Sequence, residues 1–385
     1  RRHGALSMLK VEAGVPRRVL DTLIENFEIE EENVYRTKER LGFGDWMELT
    51  QLHRADLKYP PFLPAPVWDD DDGEAIFTEL RQRDRLVHHP FQSFGAVEAF
   101  LSAAVADPQV LGIKMTLYRI GPNSPLVDLL VRAADGGKQV AVLVELKARF
   151  DERNNILWAQ RLEAAGVHVV YGLLNLKTHC KLCLVVRKEA DGIRRYAHLG
   201  TGNYNVVTSR IYTDLGLFTS RDEIVEDASD LFNYLTGYSN QVQYRALLVA
   251  PLSLRSGLAQ LIGREIAAAE AGQPSGIIMK INAITDPEMV RHLYRASQAG
   301  VQVDLLVRGV CVLRPGVPGV SDHIRVRSII GRFLEHSRIF WFANAGDPKV
   351  YIGSADVMER NLDRRVEVLC PVTDPKQADH LRSVV

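Results

Sequence analysis

Gly137-Lys138-Gln139-Val140-Ala141-Val142-Leu143-Val144-Glu145-Leu146 leaves a glycine turn, Gly136-Gly137, and runs straight into unbroken apolar sequence. A short apolar run without polar alternation reads as a strand buried on both faces, as in sheets with helices packed on each side. Working outward, Val110 to Tyr118 is a second apolar strand candidate, and Leu126 to Ala134 carries helical spacing between the two. On the far side Asn155 to Ala165 is a helix candidate leading through Gly166 into a strand, Val167 to Tyr171. A further strand surrounds His179. Strand, helix, strand at this spacing predicts an α/β fold with a mainly parallel sheet and right-handed crossovers.

The frame then returns. Gly276 to Ile281 is a strand candidate, Pro287 to Ala299 a helix, and Gly300 turns into Val301-Gln302-Val303-Asp304-Leu305-Leu306-Val307-Arg308. Each half later reaches a histidine followed two residues on by a cation: His179-Cys180-Lys181 and His336-Ser337-Arg338. Each then reaches a turn of small residues, Gly200-Thr201-Gly202-Asn203 and Gly353-Ser354-Ala355-Asp356. Recurrence in the same order predicts a duplicated α/β unit. Strand alternation would put His179 and Lys181 on one face, and likewise His336 and Arg338. An imidazole beside a cation makes a poor core but a good phosphate site, the first attacking phosphorus and the second offsetting oxygen charge. One such pair is more simply a structural histidine, whereas two at matching places in a repeat favour chemistry.

Composition limits the alternatives. The 385 residues carry a formal net charge of −1, with 46% apolar and 25% charged residues. No bulk positive field suits nucleic acid, so a polyanion site must be gathered locally from Arg and Lys. No apolar run approaches the roughly 18 residues that span a bilayer. A cytoplasmic location is expected, with peripheral membrane association left open. The chain opens at Arg1 in polar sequence, which suggests a piece of a longer protein. Cys180 and Cys183 form a C-x-x-C, but positions three apart on a strand face opposite sides, so buried reduced thiols are expected rather than half a zinc site. There is no G-x-x-x-x-G-K-[ST] loop, so any ATP is handled without that phosphate cradle.

The paired histidines resemble the phospholipase D superfamily, in which two half-sites face each other across a pseudo-dyad and acidic residues orient the imidazoles. Asp214 and Glu367, each downstream of the histidine of its own half, are the orienting candidates. Longer stretches narrow the resemblance to the polyphosphate kinases. They are Lys114-Met115-Thr116-Leu117-Tyr118-Arg119, Val144-Glu145-Leu146-Lys147-Ala148-Arg149-Phe150-Asp151-Glu152, Leu176-Lys177-Thr178-His179 and Arg210-Ile211-Tyr212-Thr213-Asp214. Tyr351-Ile352-Gly353-Ser354 and Met358-Glu359-Arg360-Asn361 extend it into the second half.

That resemblance implies reversible transfer of the terminal phosphate of ATP to inorganic polyphosphate, with ADP as the other product. It implies two tandem phospholipase D-like domains, residues 66–246 and 247–385, the second cut short. They follow the remnant of a mainly helical domain, residues 1–65, and the amino-terminal domain of the same protein is missing. By position His179 is the phosphorylated nucleophile, and His336 the acid/base near the nucleotide phosphates. Tyr212 and Arg308 match ATP-binding positions, while Lys181, Arg338 and Asn203 complete the phosphate site. Arg119 and Arg149 match positions beside a Mg²⁺–phosphate site. A guanidinium has no lone pair to give, so these two are expected to touch phosphate oxygens that the metal also contacts. A homo-oligomer is implied, and nucleic acid is not an expected partner. Two alternatives remain open: a phospholipase D-like phosphodiesterase with water as acceptor, and an inactive polyphosphate-binding fragment.

Overall fold

A computed structural model describes residues 8–38, 43–68, 73–121, 124–145, 152–173, 176–237 and 243–385. The chain divides into two compact units, 1–62 and 63–385. In the smaller, strands β1 (Leu9–Glu12) and β2 (Val34–Thr37) pair in parallel around the helix Arg17–Phe27.

The larger unit contains the duplication. Its first sheet uses β3 (Arg85–His89), β4 (Val110–Leu117), β5 (Gln139–Val144), β6 (His168–Val170), β8 (Lys181–Glu189), β9 (Gly192–Gly200) and β10 (Tyr212–Thr219). The central order is β10-β9-β8-β4-β5-β6, with β3 on the other edge of β10. The second sheet repeats the plan with β11 (Leu248–Ala250), β12 (Ile277–Ile281), β13 (Val303–Val307), β14 (Ile324–Arg327), β16 (Ile339–Phe342), β17 (Lys349–Gly353) and β18 (Arg365–Pro371). Its order is β11-β18-β17-β16-β12-β13-β14. Two very short strands, β7 (Lys177–Thr178) and β15 (Leu334–Glu335), pair with β18 and β10 respectively.

The expected mainly parallel sheet is mixed instead. In the first half β4, β5 and β6 run parallel, through the helices Pro125–Asp135 and Glu152–Ala164, as β12, β13 and β14 do in the second. β8, β9 and β10 are antiparallel. One antiparallel pair is made locally: β8 and β9 are joined by a hairpin at Ala190-Asp191, and Gly192 adopts φ +133°, open to glycine alone at little cost. Hairpins need few residues, whereas parallel neighbours need a crossover.

Three apolar cores hold the unit. One lies under the helices of the first half, around Phe77, Phe100, Leu130 and Met115, and one under those of the second, around Leu258, Met279, Leu293 and Phe340. The third takes Leu182, Leu199 and Leu217 from the first sheet with Ile339, Ile352 and Val366 from the second. The two halves therefore share a core, a large non-directional contribution to keeping them in register. Cys183 falls in the first core and Cys180 in the shared one, and both thiols are free and buried. Among the described residues no helix is long and apolar enough to cross a membrane.

Candidate active site

The site is built where the short strands cross from one sheet to the other. β7 lies parallel to β18, with Lys177 opposite Arg365 and Thr178 opposite Val366. His179 N then donates to Val366 O at 2.9 Å, which sets the histidine beside the next residue of β18, Glu367. Its ring Nδ1 is 2.8 Å from Glu367 Oε2. The second half repeats this with the roles of the sheets exchanged. β15 lies parallel to β10, Thr213 opposite Glu335; His336 N donates to Thr213 O at 3.2 Å. His336 Nδ1 is 2.8 Å from Asp214 Oδ1. Each carboxylate thus meets the histidine of the other half, not the one it follows in sequence.

The carboxylates are themselves fixed. Glu367 is 0% exposed and accepts from Asn361 Nδ2 at 2.6 Å; Asp214, also buried, accepts from Thr201 Oγ1 at 2.6 Å. A carboxylate on Nδ1 holds the proton there and leaves Nε2 with the lone pair. Burial, reinforced by Lys181, Arg365 and Arg338, pushes His179 well below its ordinary value, so the ring is neutral. Burial also lowers His336, against the opposing pull of Asp214. For Asp214 burial would act upward, but His336 and Thr201 outweigh it and the carboxyl sits low. Glu367 is raised to about 7 and Lys181 is lowered to about 7, each chiefly by burial.

Neither histidine lies within a strand. His179 and Cys180 bridge β7 and β8, and His336 to Arg338 bridge β15 and β16, so strand alternation does not place the cations. Side-chain bonds do. Lys181 Nζ donates to His179 O, and Arg338 Nη1 donates to His336 O at 2.7 Å. The half-sites then differ. Arg338 Nη1 is 3.1 Å from His336 Nε2, and Arg338 is paired with buried Asp356, Nε to Oδ1 3.2 Å. No described residue hydrogen-bonds Nε2 of His179.

Of the other expected residues, Tyr212 is brought in, its ring 5.1 Å from that of His336. Arg308 follows β13 and donates Nη2 to Asn282 Oδ1 at 2.9 Å. Asn203 lies beside Asp214, its Oδ1 buried and without a hydrogen-bond partner among the described residues. Arg119 leaves the end of β4 with its guanidinium 5.8 Å from the Tyr118 ring, which in turn meets His179 edge-on at 5.0 Å. Arg149 lies outside the described residues. Among the described residues no cluster of His, Cys, Asp or Glu could by itself hold a metal. The donor set suits phosphate oxygens; it does not fit a protein-ligated ion.

Sequence reading gave no role to Tyr118, Asn282, Thr201 or Asp356. Asp356 had a signal, since it stands in the repeat where the first half has Asn203. Tyr118 carried none beyond ending a strand.

Comparison with known proteins adds independent findings. Residues 75–241 match the family model for polyphosphate kinase C-terminal domain 1, and residues 247–385 that for polyphosphate kinase C-terminal domain 2. The chain is 52% identical over 383 residues to polyphosphate kinase 1 of Chlorobaculum tepidum, covering 100% of this chain and 55% of that protein. It is 54% identical to the polyphosphate kinase of Streptomyces coelicolor, covering 97% and 51%. The crystal structure of polyphosphate kinase from Porphyromonas gingivalis superposes with a TM-score of 0.83 at 34% identity, over 97% of this chain and 57% of that one. Phosphatidylserine synthase of Haemophilus influenzae shares the fold at 10% identity, TM-score 0.55, over 81% and 88%. The chain spans about half the length of the curated relatives it matches.

Proposed function

Because the chain belongs to the polyphosphate kinase family, we propose that its paired histidines transfer the terminal phosphoryl group of ATP to inorganic polyphosphate through a phosphohistidine, reversibly. The observation that carries the division of labour is the contrast at Nε2. On His179 that nitrogen has no hydrogen-bond partner among the described residues while Nδ1 is bonded to Glu367; on His336 it faces Arg338. His179 is accordingly the nucleophile and His336 the acid/base.

In the first step His179 Nε2 attacks the γ-phosphorus in line. The N–P bond forms as the bond to the bridging oxygen breaks, and that electron pair leaves on ADP. Glu367 takes up the growing positive charge on the imidazole through Nδ1–H. Lys181, Arg308, Arg338, Arg119 and Arg149 stabilise the equatorial oxygens, and Tyr212 lies beside the nucleotide phosphates. In the second step a terminal oxygen of polyphosphate, or ADP in reverse, attacks the same phosphorus and frees the imidazole. His336 moves the proton at that oxygen by exchanging its contact with Arg338 for one with substrate. A nucleotide-borne magnesium ion would supply charge neutralisation on the phosphates, and Arg119 and Arg149 would hold phosphate oxygens beside it.

The test is labelling with γ-labelled ATP and Mg²⁺, scoring protein-bound phosphate that is acid-labile and base-stable. The chain is expected to label, and His179→Ala to label not at all. ADP or polyphosphate should discharge the label faster than water does. Label retained by His179→Ala would overturn the nucleophile, and discharge to water alone would favour a phosphodiesterase.

A further inference from the structure

The repeat offers a control inside the molecule. By strand register β4 and β12 correspond, as do the turns after β9 and β17, so Asn282 stands where the first half has Tyr118 and Asp356 where it has Asn203. The cation of the first half-site, Lys181, thus has a neutral amide at the place where Arg338 has a carboxylate.

That carboxylate does more than pair. Asp356 is 4% exposed; its Oδ1 accepts from Arg338 Nε at 3.2 Å and from Asn282 N at 2.8 Å, and its Oδ2 from Arg338 Nη2 at 3.3 Å. The side chain of the same Asn282 accepts from Arg308 Nη2 at 2.9 Å. Asn282 O also accepts from Gly309 N at 2.7 Å, and a Cβ on Gly309 would lie 2.9 Å from that oxygen, so the chain closes here only with glycine. One residue, Asn282, therefore joins the two guanidiniums: its backbone holds the carboxylate that aligns Arg338, and its amide oxygen holds Arg308. Nothing comparable links Lys181 to a second cation among the described residues.

We propose that Asn282 and Asp356 are positioning residues that fix Arg308 and Arg338 as one two-armed clamp for consecutive phosphoryl groups, and that Asp356 also limits how tightly the clamp grips. Two uncompensated guanidiniums over a polyanion would bind strongly and release slowly. The carboxylate between them cancels one positive charge while holding the planar fork in its bidentate orientation. The second half-site is then able to let go of a shortened or lengthened chain. This rests on the phosphotransferase reading above.

The experiment measures tripolyphosphate binding by calorimetry, together with kcat and KM for ATP, in the wild-type chain, Asp356→Asn and Asn282→Ala. Phosphoenzyme formation is scored in parallel. Asp356→Asn keeps the shape and removes the charge. It is expected to bind tripolyphosphate roughly tenfold more tightly and to lose kcat, because an uncompensated charge is worth about that much in a screened cleft. Asn282→Ala frees Arg308 and is expected to raise KM for ATP about tenfold, with tripolyphosphate binding weakened. Damage to folding weakens binding in both variants and cannot give these opposite signs. A wild-type chain that neither labels nor binds tripolyphosphate would defeat the phosphotransferase reading. Wild-type labelling with Asp356→Asn binding no more tightly than wild type would defeat the clamp alone.

Discussion

Glu367 has no exposure; Arg365 of its own half approaches at 3.9 Å, but at 2.8 Å it meets the imidazole of His179 from across the molecule. Its replacement by Gln retains an acceptor but not the charge that steadies an imidazole becoming positive. Phosphoenzyme formation in Glu367→Gln is expected to slow by about a hundredfold or more, with ATP affinity nearly unchanged. Rapid-quench labelling reads the first and competition binding the second; an unaltered rate would remove Glu367 from the mechanism. The residue types were legible in advance: a histidine two places before a cation, twice, with a carboxylate downstream of each. The exchange of carboxylates between halves was not. It depends on β7 and β15, two residues each, whose partners lie more than a hundred positions away. No local pattern in Lys177-Thr178 or Leu334-Glu335 announces such a pairing.

At the scale of elements, the buried strands around Val110 and Val140 and the helices between them were legible because an apolar run or a helical stripe is a local signal. The antiparallel half of each sheet was not, since direction is set by a hairpin and not by strand composition. The strand reading of His179 failed for a related reason. Its backbone N–H is spent on Val366 O, so it belongs to the crossing between sheets and not to β8. The turns behind the carboxylates are tightly packed against them. A Cβ on Gly202 would run into the Asp214 carboxylate, and one on Gly353 would strike Val368 O. Gly202→Ala is expected to displace Asp214 and with it His336, cutting turnover more than stability. Gly353→Ala meets backbone, which cannot step aside, and is expected to cost about 2 kcal/mol or more of stability. Thermal melts beside turnover assays separate the two; equal loss of stability in both would refute the distinction.

Across the whole molecule, five histidines among the described residues, two buried and three half-buried, have lowered affinity for protons. They are His179, His336 and His89, with His88 at about 4 and His198 at about 3, and burial is the leading cause in each. A base whose folded value is depressed adds stability above its unfolded value, near 6.5, and loses it as the pH falls toward the folded value. Glu367, Glu265 and Glu98, raised by burial, act in the opposite sense over part of this range. The histidines are more numerous and three are shifted far, so stability should fall between pH 6.5 and 4. The expected loss is about 10 °C in Tm. Differential scanning calorimetry across that range checks it, and a flat profile would mean the rings take up protons without unfolding.

The crossed contacts have one more consequence. Each half lends its carboxylate and borrows one in return, through strands that exist only while the sheets are side by side. A small shear between the halves would disconnect both imidazoles together. On the proposed chemistry the site would behave as an interlock: an opened molecule would have no half-working nucleophile left to carry a phosphoryl group into water.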